Sequence, residues 1–520
     1  MKPTMMIVMA IILAAATATG AAEQAPPIPA EEQPEVLTQG PVNEAFAQPV
    51  NLEDQTGLVA PTEPPAAIAE VPPPERPAGD QFAWVPGYWA WDSDRNGYIW
   101  VSGCWRAVPP GMSWVPGYWS QSPDGWQWVA GFWAPADNRE IDYLPPPPEL
   151  ADVEPPGPAP SPDRIWVPPC WYWYHGQYSR RPGYWLAAQP DWVWVPSHYV
   201  WTPRGYVFAN GHWDYTLGRR GVLFAPVYFP RHIYARPGFS YTLSIAVDIG
   251  NLQFGLFTRP QYSHYYFGDY YDSAYISLGI FPWFEVERRH TWYDPIYVHD
   301  RWRHHKDDPR WAQHERQEYS RRRADRNRRP PKTYREMEHR VSRMTGSQRR
   351  NFEIAAPMKQ IVSRKTTFKF QQSQPEARQQ ISKHSDDVHQ FVKERSRWES
   401  QGAGRQSGQA AVKPMPSGGR SEKVPPVKRK GPEVRPPERT ESPPVQRARR
   451  LDAPGSVRDE ATTSSRQQQL PTVTLRKGQP YQSDSVKIRT PPVAGGQDGG
   501  FFRKRPPSRP DEEQNDRKRQ

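Results

Sequence analysis

The chain has little cysteine, no long apolar run and none of the short motifs that announce common enzyme classes. Only two of its 520 residues are Cys, Cys104 and Cys170. So few exclude a disulfide-dense scaffold and a zinc site built on spaced Cys pairs. There is no phosphate-cradling glycine loop, no G-x-S-x-G elbow and no H-E-x-x-H pair, so nucleotide-dependent enzymes, serine hydrolases and zincins find no signature here. Beyond residue 16 no segment stays apolar for the ~20 residues a spanning helix needs. Hydrophobic residues make up only 36%, and there are 63 Pro. With a mean hydropathy of −0.87, long stretches cannot bury enough apolar surface to fold on their own.

What the chain does have is tryptophan, unevenly placed. Of 23 Trp, twenty lie between Trp84 and Trp292, and only Trp302, Trp311 and Trp398 follow. Charge is divided as well. Residues 1–300 carry 16 Lys+Arg against 30 Asp+Glu, and residues 301–520 carry 51 against 26. An acidic, aromatic front and a basic rear imply self-association or an anionic partner for the tail.

The chain opens with Met1-Lys2 and an apolar stretch over residues 5–16, followed by small residues with A-T-A at 16–18. That layout reads as a signal peptide over residues 1–22, too short to span a bilayer, and implies an exported protein. An uncleaved N-terminal anchor is the alternative.

The aromatic region is repetitive. Units begin at Trp84, Trp100, Trp114 and Trp128, then at Trp166, Arg180, Trp194, Phe208 and Phe224. The fourth position is Gly at Gly87, Gly103, Gly117, Gly131, Gly183 and Gly211. The sixth is aromatic throughout: Trp89, Trp105, Trp119, Trp133, Trp171, Trp185, Tyr199, Trp213 and Phe229. A fixed short period marks a repeat architecture, and fourteen residues suit one strand of about ten plus a tight turn.

The turns set a register. S-P-D-G at 122–125 and T-P-R-G at 202–205 have Pro at i+1 and Gly at i+3 of a type I turn. Pairing outward from Pro123-Asp124 places Trp119 opposite Trp128, and the second turn places Tyr199 opposite Phe208. The sixth position of one strand thus faces the first of the next, where cross-strand aromatic pairs stabilise a sheet by up to ~1 kcal/mol each. Pro at the third position cannot donate to a ladder and implies a bulge or kink. Gly at the fourth leaves bare backbone for a neighbouring indole. Without a bulge the first and sixth positions occupy opposite faces; with one they share a face.

The fold class expected is all-β, an antiparallel meander of these repeats followed by a helical segment and a long disordered basic tail. Its organisation reads as a Pro-rich disordered linker over 23–80, repeat block one over 81–137, and a Pro-rich connector over 138–163. A second block with a Tyr-rich β extension covers 164–300, a basic and partly helical segment 301–400, and the disordered tail 401–520. Residues 240–250, 252–257 and 274–281 read as strands, and residues 375–399 as an amphipathic helix. Cys104 and Cys170 occupy equivalent slots, so a disulfide is one reading and two small buried hydrophobes the other.

The units W-V-P-G-Y-W (114–119) and W-V-A-G-F-W (128–133) resemble the W-x-x-G-x-W repeat, also written Y-x-W-G-x-W, of exported bacterial proteins with no assigned function. The resemblance is strong over residues 84–133 and looser over 166–229. It implies export and a β-repeat region but supplies no catalytic residue. Pro169 and Ser197 stand where the pattern has Gly, which implies distorted units.

His290, His299, His304, His305 and His314 form the best metal candidate; as solvated residues of an Arg-rich, loose stretch they would be no site at all. Trp rows could stack on sugar rings if exposed, or form the core if buried. The basic tail suits an anionic envelope polymer or acidic protein, which an exported chain meets before nucleic acid. The function expected is a non-catalytic envelope or extracellular scaffold without cofactor, with polysaccharide binding through exposed Trp rows as the alternative. A metal-dependent enzyme at the His cluster is a distant third.

Overall fold

Each Pro-Gly step inside the repeat interrupts a long strand, because Pro has no N–H to give the ladder and the two residues bend the chain. Strand-turn-strand units therefore fold into hairpins whose two arms are bent at the same level. The computed structural model describes residues 33–53, 57–137, 141–252, 255–346, 349 and 352–403. The signal peptide expected at 1–22, the start of the expected linker and the tail from 404 onward lie outside the described residues.

Four bent hairpins result. Module one comprises Phe82–Val85, Tyr88–Asp92, Gly97–Val101 and Cys104–Ala107. Module two comprises Met112–Val115, Tyr118–Ser122, Gly125–Val129 and Phe132–Pro135. Module three runs Arg164–Val167, Cys170–Tyr174, Gln177–Arg181 and Tyr184–Ala187, and module four Trp192–Val195, His198–Thr202, Gly205–Ala209 and His212–Tyr215. Around each turn the register is the one the turn residues imply: Trp119 pairs with Trp128 and Tyr199 with Phe208. Gly125 and Gly205 close these turns at φ +133° and +142°, a region that favours glycine.

The expected meander is not what forms. Trp105 pairs back onto Trp84, Trp133 onto Trp114, Trp185 onto Trp166 and Trp213 onto Trp194. Units therefore join two by two, because a doubled-back hairpin satisfies both bent arms within one module. The ninth unit and the residues just before it add two short strands to module one: Gly221–Leu223 sets Val222 beside Trp105, and Val227–Tyr228 sets Val227 beside Trp100.

This pairing explains the glycines. A Cβ at Gly103 would lie 2.5 Å from the Trp84 ring, at Gly117 2.5 Å from Trp128, and at Gly131 2.4 Å from Trp114. At Gly183 it would lie 2.3 Å from Trp166, and at Gly87 and Gly211 it would meet Trp100 and Trp194 at 2.7 and 2.9 Å. Each fourth-position Gly receives the first-position indole of its hairpin partner. Where that partner is Arg180 or Phe208, the fourth position is Pro169 or Ser197 instead.

Several other expectations are corrected. From Gln33 onward the stretch expected as a disordered linker supplies six short strands between Glu35 and Pro77. Its residues 43–47 pack at the centre, with Phe46 fully buried. Residues 273–277 form a short helix rather than a strand, with Phe281–Pro282 following as β. Cys104 and Cys170 are both free and buried. The Arg-rich stretch after residue 300 is packed rather than loose: helices Pro295–His305, Trp311–Ala324 and Tyr334–Val341 bury His299, Arg322 and Met337. The amphipathic helix is present as Pro375–Ala403, with Val388 and Phe391 buried.

Candidate binding cleft

The bends leave backbone polar groups that no ladder satisfies, and buried groups of this kind need partners. In module one the Glu70 carboxylate accepts from Gly87 and Gly103 N–H at 2.9 and 3.0 Å and from Trp100 Nε1 at 2.6 Å. In module two Glu44 accepts from Gly131 N–H at 2.9 Å and Trp128 Nε1 at 3.3 Å. Burial pushes the Glu44 carboxyl up to about 8 and Glu70 to about 7, against the hydrogen bonds that favour their ionised forms. Two bend carbonyls are taken by the long helix: His389 Nε2 lies 3.1 Å from Gly87 O, and Arg395 donates to Pro116 O at 2.8 Å.

The same helix carries a fully buried Arg395–Glu399 pair at 2.7 Å, and Tyr118 and Tyr143 both donate to Glu399. A second buried ion group joins the blocks. Arg106 of module one and Arg220 bind Asp214 of module four at 2.5 and 2.8 Å. Burial alone would raise the Asp214 carboxyl, but the two guanidiniums outweigh it and hold it below its ordinary value. Tyr88 and His264 meet at 2.6 Å within an aromatic cluster with Trp128 and Tyr262. Burial lowers His264 to about 3, keeping the ring neutral. All these groups are spent on holding modules together.

The repeat aromatics divide by block. Nine of the ten Trp in modules one and two are buried, Trp126 alone being half-buried. In modules three and four all eight, Trp166, Trp171, Trp173, Trp185, Trp192, Trp194, Trp201 and Trp213, are half-buried, and Tyr174 is 55% exposed. Block two also borders a cleft of about 580 Å³. Its aromatic lining is Trp171, Tyr199, Trp201 and Tyr206 of block two with Trp128 of block one, and Pro147 and Pro148 of the connector form one wall. Gln48, Asn51, Gln261 and His198 add polar groups. Burial pushes the His198 imidazole down to about 4, and its Nδ1 bonds Pro196 O at 3.0 Å, so a neutral ring faces this space.

Of the residues singled out in the sequence, Trp128, Trp171, Cys170, Ser197, Tyr199 and His290 reach the cleft, and the remaining repeat Trp lie in cross-strand pairs within the modules. The sequence reading missed Trp201. Its signal was an aromatic at the eighth position of the opening unit of a module, shared by Trp91 and Trp173 and paired across the turn with Tyr206, Tyr98 and Tyr178. The His cluster is dispersed: His290 faces Glu154, His299 contacts Asp300 and Gln189 O, His304 stacks on Trp311, and His314 bonds Asp308. Among the described residues no three or more His, Cys, Asp or Glu side chains converge as a metal-ligand set, and no helix is long and apolar enough to cross a membrane. Compared with models of protein families, with curated proteins and with solved structures, the chain matches none.

Proposed function

We propose that this protein is a non-catalytic, exported scaffold whose second repeat block binds a polysaccharide chain in its aromatic cleft. One observation carries the reading: the same repeat that builds a buried core in block one leaves every indole of block two half-exposed. An indole with one apolar and one wet face suits the face of a sugar ring. A cleft of about 580 Å³ falls within the usual range of small-ligand sites, roughly 300–1,000 Å³, where a few polar groups fix orientation. Gln48, Asn51 and Gln261 are suited to hydroxyl groups. The signal-peptide layout of residues 1–22 is what supports export, and the basic rear, 51 Lys+Arg against 26 Asp+Glu, suits retention on an anionic envelope surface.

The test is tryptophan fluorescence of the full chain titrated with neutral and acidic soluble polysaccharides and cell-wall fragments. A saturable shift that Trp201→Ala abolishes is the expected result. Absence of any saturable shift across that panel would remove the binding reading and leave a purely structural scaffold. Salt-sensitive retention of the full chain on an anionic matrix tests the tail, and indifference to salt would discard that part.

A further inference from the structure

The two blocks are equivalent beyond their hairpins. Trp84, Trp89, Tyr98, Trp114 and Trp119 correspond to Trp166, Trp171, Tyr178, Trp194 and Tyr199, at offsets of 80 to 82 residues. Each block is also preceded in sequence by a Pro-rich strap that lies on it. The block-one strap pairs Ala60 with Trp126 of module two, and the block-two strap bridges Leu144 to Tyr206 of module four. Each strap then crosses the first module of its block and is gripped in the same way. Tyr98 Oη donates to Thr62 O at 2.6 Å and Trp89 Nε1 to Ala66 O at 2.8 Å. Tyr178 Oη donates to Pro145 O and Trp171 Nε1 to Glu149 O at 3.4 Å. The equivalent Tyr and Trp therefore reach carbonyls four residues apart, and between them stands a Pro-Pro step at the same place, Pro64-Pro65 or Pro147-Pro148. In block two Arg180 and Trp166 extend the grip to Ala151 O and Val153 O, at 2.6 and 2.8 Å.

Aromatic O–H and N–H groups directed at the carbonyls of a proline-rich chain are a recurrent way of recognising polyproline-II peptides. Such a chain makes no internal hydrogen bonds, so its carbonyls are free to be read, and proline pre-sets its shape. We propose that the Tyr178–Trp171 pair is a reading site for Pro-Pro peptides, held by residues 145–149 as a resident ligand and open to Pro-Pro segments of this chain's own basic tail in their place. The tail contains five such steps, at 425–426, 436–437, 443–444, 491–492 and 506–507. The first is flanked by basic residues, K-V-P-P-V-K-R-K at 423–430, while residues 1–300 are net acidic. The long helix, after which the tail begins in sequence, ends beside the block-two strap. Close to the end of the long helix, Trp398 packs 5.1 Å from Tyr143, Arg204 lies 3.8 Å over the Trp398 ring, and Tyr143 bonds Glu399 at 2.7 Å. At no more than ~3.6 Å per residue, the roughly 20 residues from Ala403 to Pro425 reach up to about 70 Å, ample to return to this site. This site shares Trp171 and the Pro147-Pro148 wall with the cleft, but the inference does not depend on a sugar binding there.

The experiment uses the full chain with the five tail Pro-Pro steps changed to Ala-Ala, so that the tail does not compete. A fluorescently labelled peptide of residues 421–432 is titrated into it, read by anisotropy, with the strap intact or weakened by Pro146→Gly, Pro147→Gly and Pro148→Gly. Saturable binding to the weakened-strap protein is expected, at least ten-fold tighter than to the intact strap. Trp171→Phe with Tyr178→Phe leaves an aromatic ring at each position and deletes both donors, and should weaken it ten-fold or more. A peptide with Pro425→Ala and Pro426→Ala should bind equally poorly. No saturable binding to the weakened-strap protein overturns the proposal, as does binding that the Ala-Ala peptide retains, which would be charge attraction alone. Should the triple substitution unfold the chain, limited proteolysis of the otherwise native protein decides. Trp171→Phe with Tyr178→Phe should speed cleavage within 145–153 several-fold, and an unchanged rate counts against the reading.

Discussion

Blocks one and two share a repeat, a hairpin register and a strap, yet one is core and the other is half surface. The difference lies in what covers them. Block one is enclosed by residues 43–47 and 68–70, by the ninth unit, by the Tyr-rich stretch around Tyr262–Phe267, and by the helix Pro375–Ala403. Its bends receive carboxylates, Glu70 and Glu44, from outside the repeat. In module four the bend looks after itself: Ser197 Oγ accepts from Gly211 N–H at 2.9 Å. The repeat therefore specifies a bent aromatic hairpin, and the surroundings decide whether its indoles become interior or stay available to a ligand.

The largest expected break in that comparison is Trp100→Ala against Trp173→Ala. Trp100 is fully buried, packs edge-on to Trp89 at 5.2 Å and donates to Glu70. Its removal should cost about 3–5 kcal/mol, as for other buried large-to-small changes. Trp173 is half-buried against Tyr178 at 4.8 Å, and its loss should cost at most ~1 kcal/mol, the worth of a cross-strand pair. Urea unfolding checks both; equal losses would mean that block two is as much core as block one.

Next comes the glycine seat. Gly131→Ala drives a methyl to 2.4 Å from Trp114 and 2.8 Å from the Gly117 nitrogen, whereas Gly211→Ala meets Trp194 at 2.9 Å and Ser197 at 3.1 Å. Overpacking of a tight core costs about 1–3 kcal/mol, so Gly131→Ala should fall at the upper end and Gly211→Ala at or below the lower. Thermal melts of the two variants give the ranking, and the reverse order would show that block-two modules are the more rigid.

How far this was readable in the sequence follows from the range of each interaction. The hairpin register came from Pro123-Asp124 and Pro203-Arg204, because turn chemistry acts within four residues. The pairing of units also has a mark in the sequence. The irregular positions occur together, Pro169 with Arg180 and Ser197 with Phe208, and such matched departures mark hairpin partners. The carboxylate seats were not readable: Glu44 reaches Gly131 across 87 residues, and nothing local marks a Glu between Asn and Ala as buried. Trp201 at the cleft sits at an eighth position that is Trp in only three of the nine units, so the repeat period does not mark it. The straps read as linkers because proline-rich composition looks alike whether or not aromatic side chains grip its carbonyls.

Acidity separates the blocks more finely. Folding raises the Glu44 carboxyl from 4.5 to about 8 by burial. A raised acid is protonated more readily when folded, so its contribution is fully present below about pH 4.5, declines as pH rises, and is lost once pH passes about 8. Glu44→Gln cannot ionise and should flatten the fall in stability between pH 5 and 8. Asp294, raised to about 7, acts in the same sense, so the slope shrinks without vanishing. Ser197→Ala, at the corresponding bend of module four, should leave the profile's shape unchanged. Denaturant midpoints measured across this pH range decide the matter, and an unaltered slope in Glu44→Gln would show that the carboxyl stays solvated.

The smallest effect is the most specific, because it asks whether block two can be rewritten by block one's rule. Phe208 faces Tyr199 across the turn, and its indole-equivalent seat is occupied by Ser197. Phe208→Trp alone should set the larger ring against the Ser197 side chain and cost about 1 kcal/mol, the low end for overpacking. Ser197→Gly alone removes the oxygen that accepts from Gly211 N–H and should cost a similar ~1 kcal/mol, the net worth of one hydrogen bond. Together they recreate the Trp-on-Gly contact of the other modules. The double variant should therefore be more stable than the sum of the singles by roughly 0.5 kcal/mol or more, within the range found for residues in contact. Strict additivity in that double-mutant cycle would mean that glycine and indole occur together for separate reasons, and the seat would lose its standing as the device that joins unit to unit.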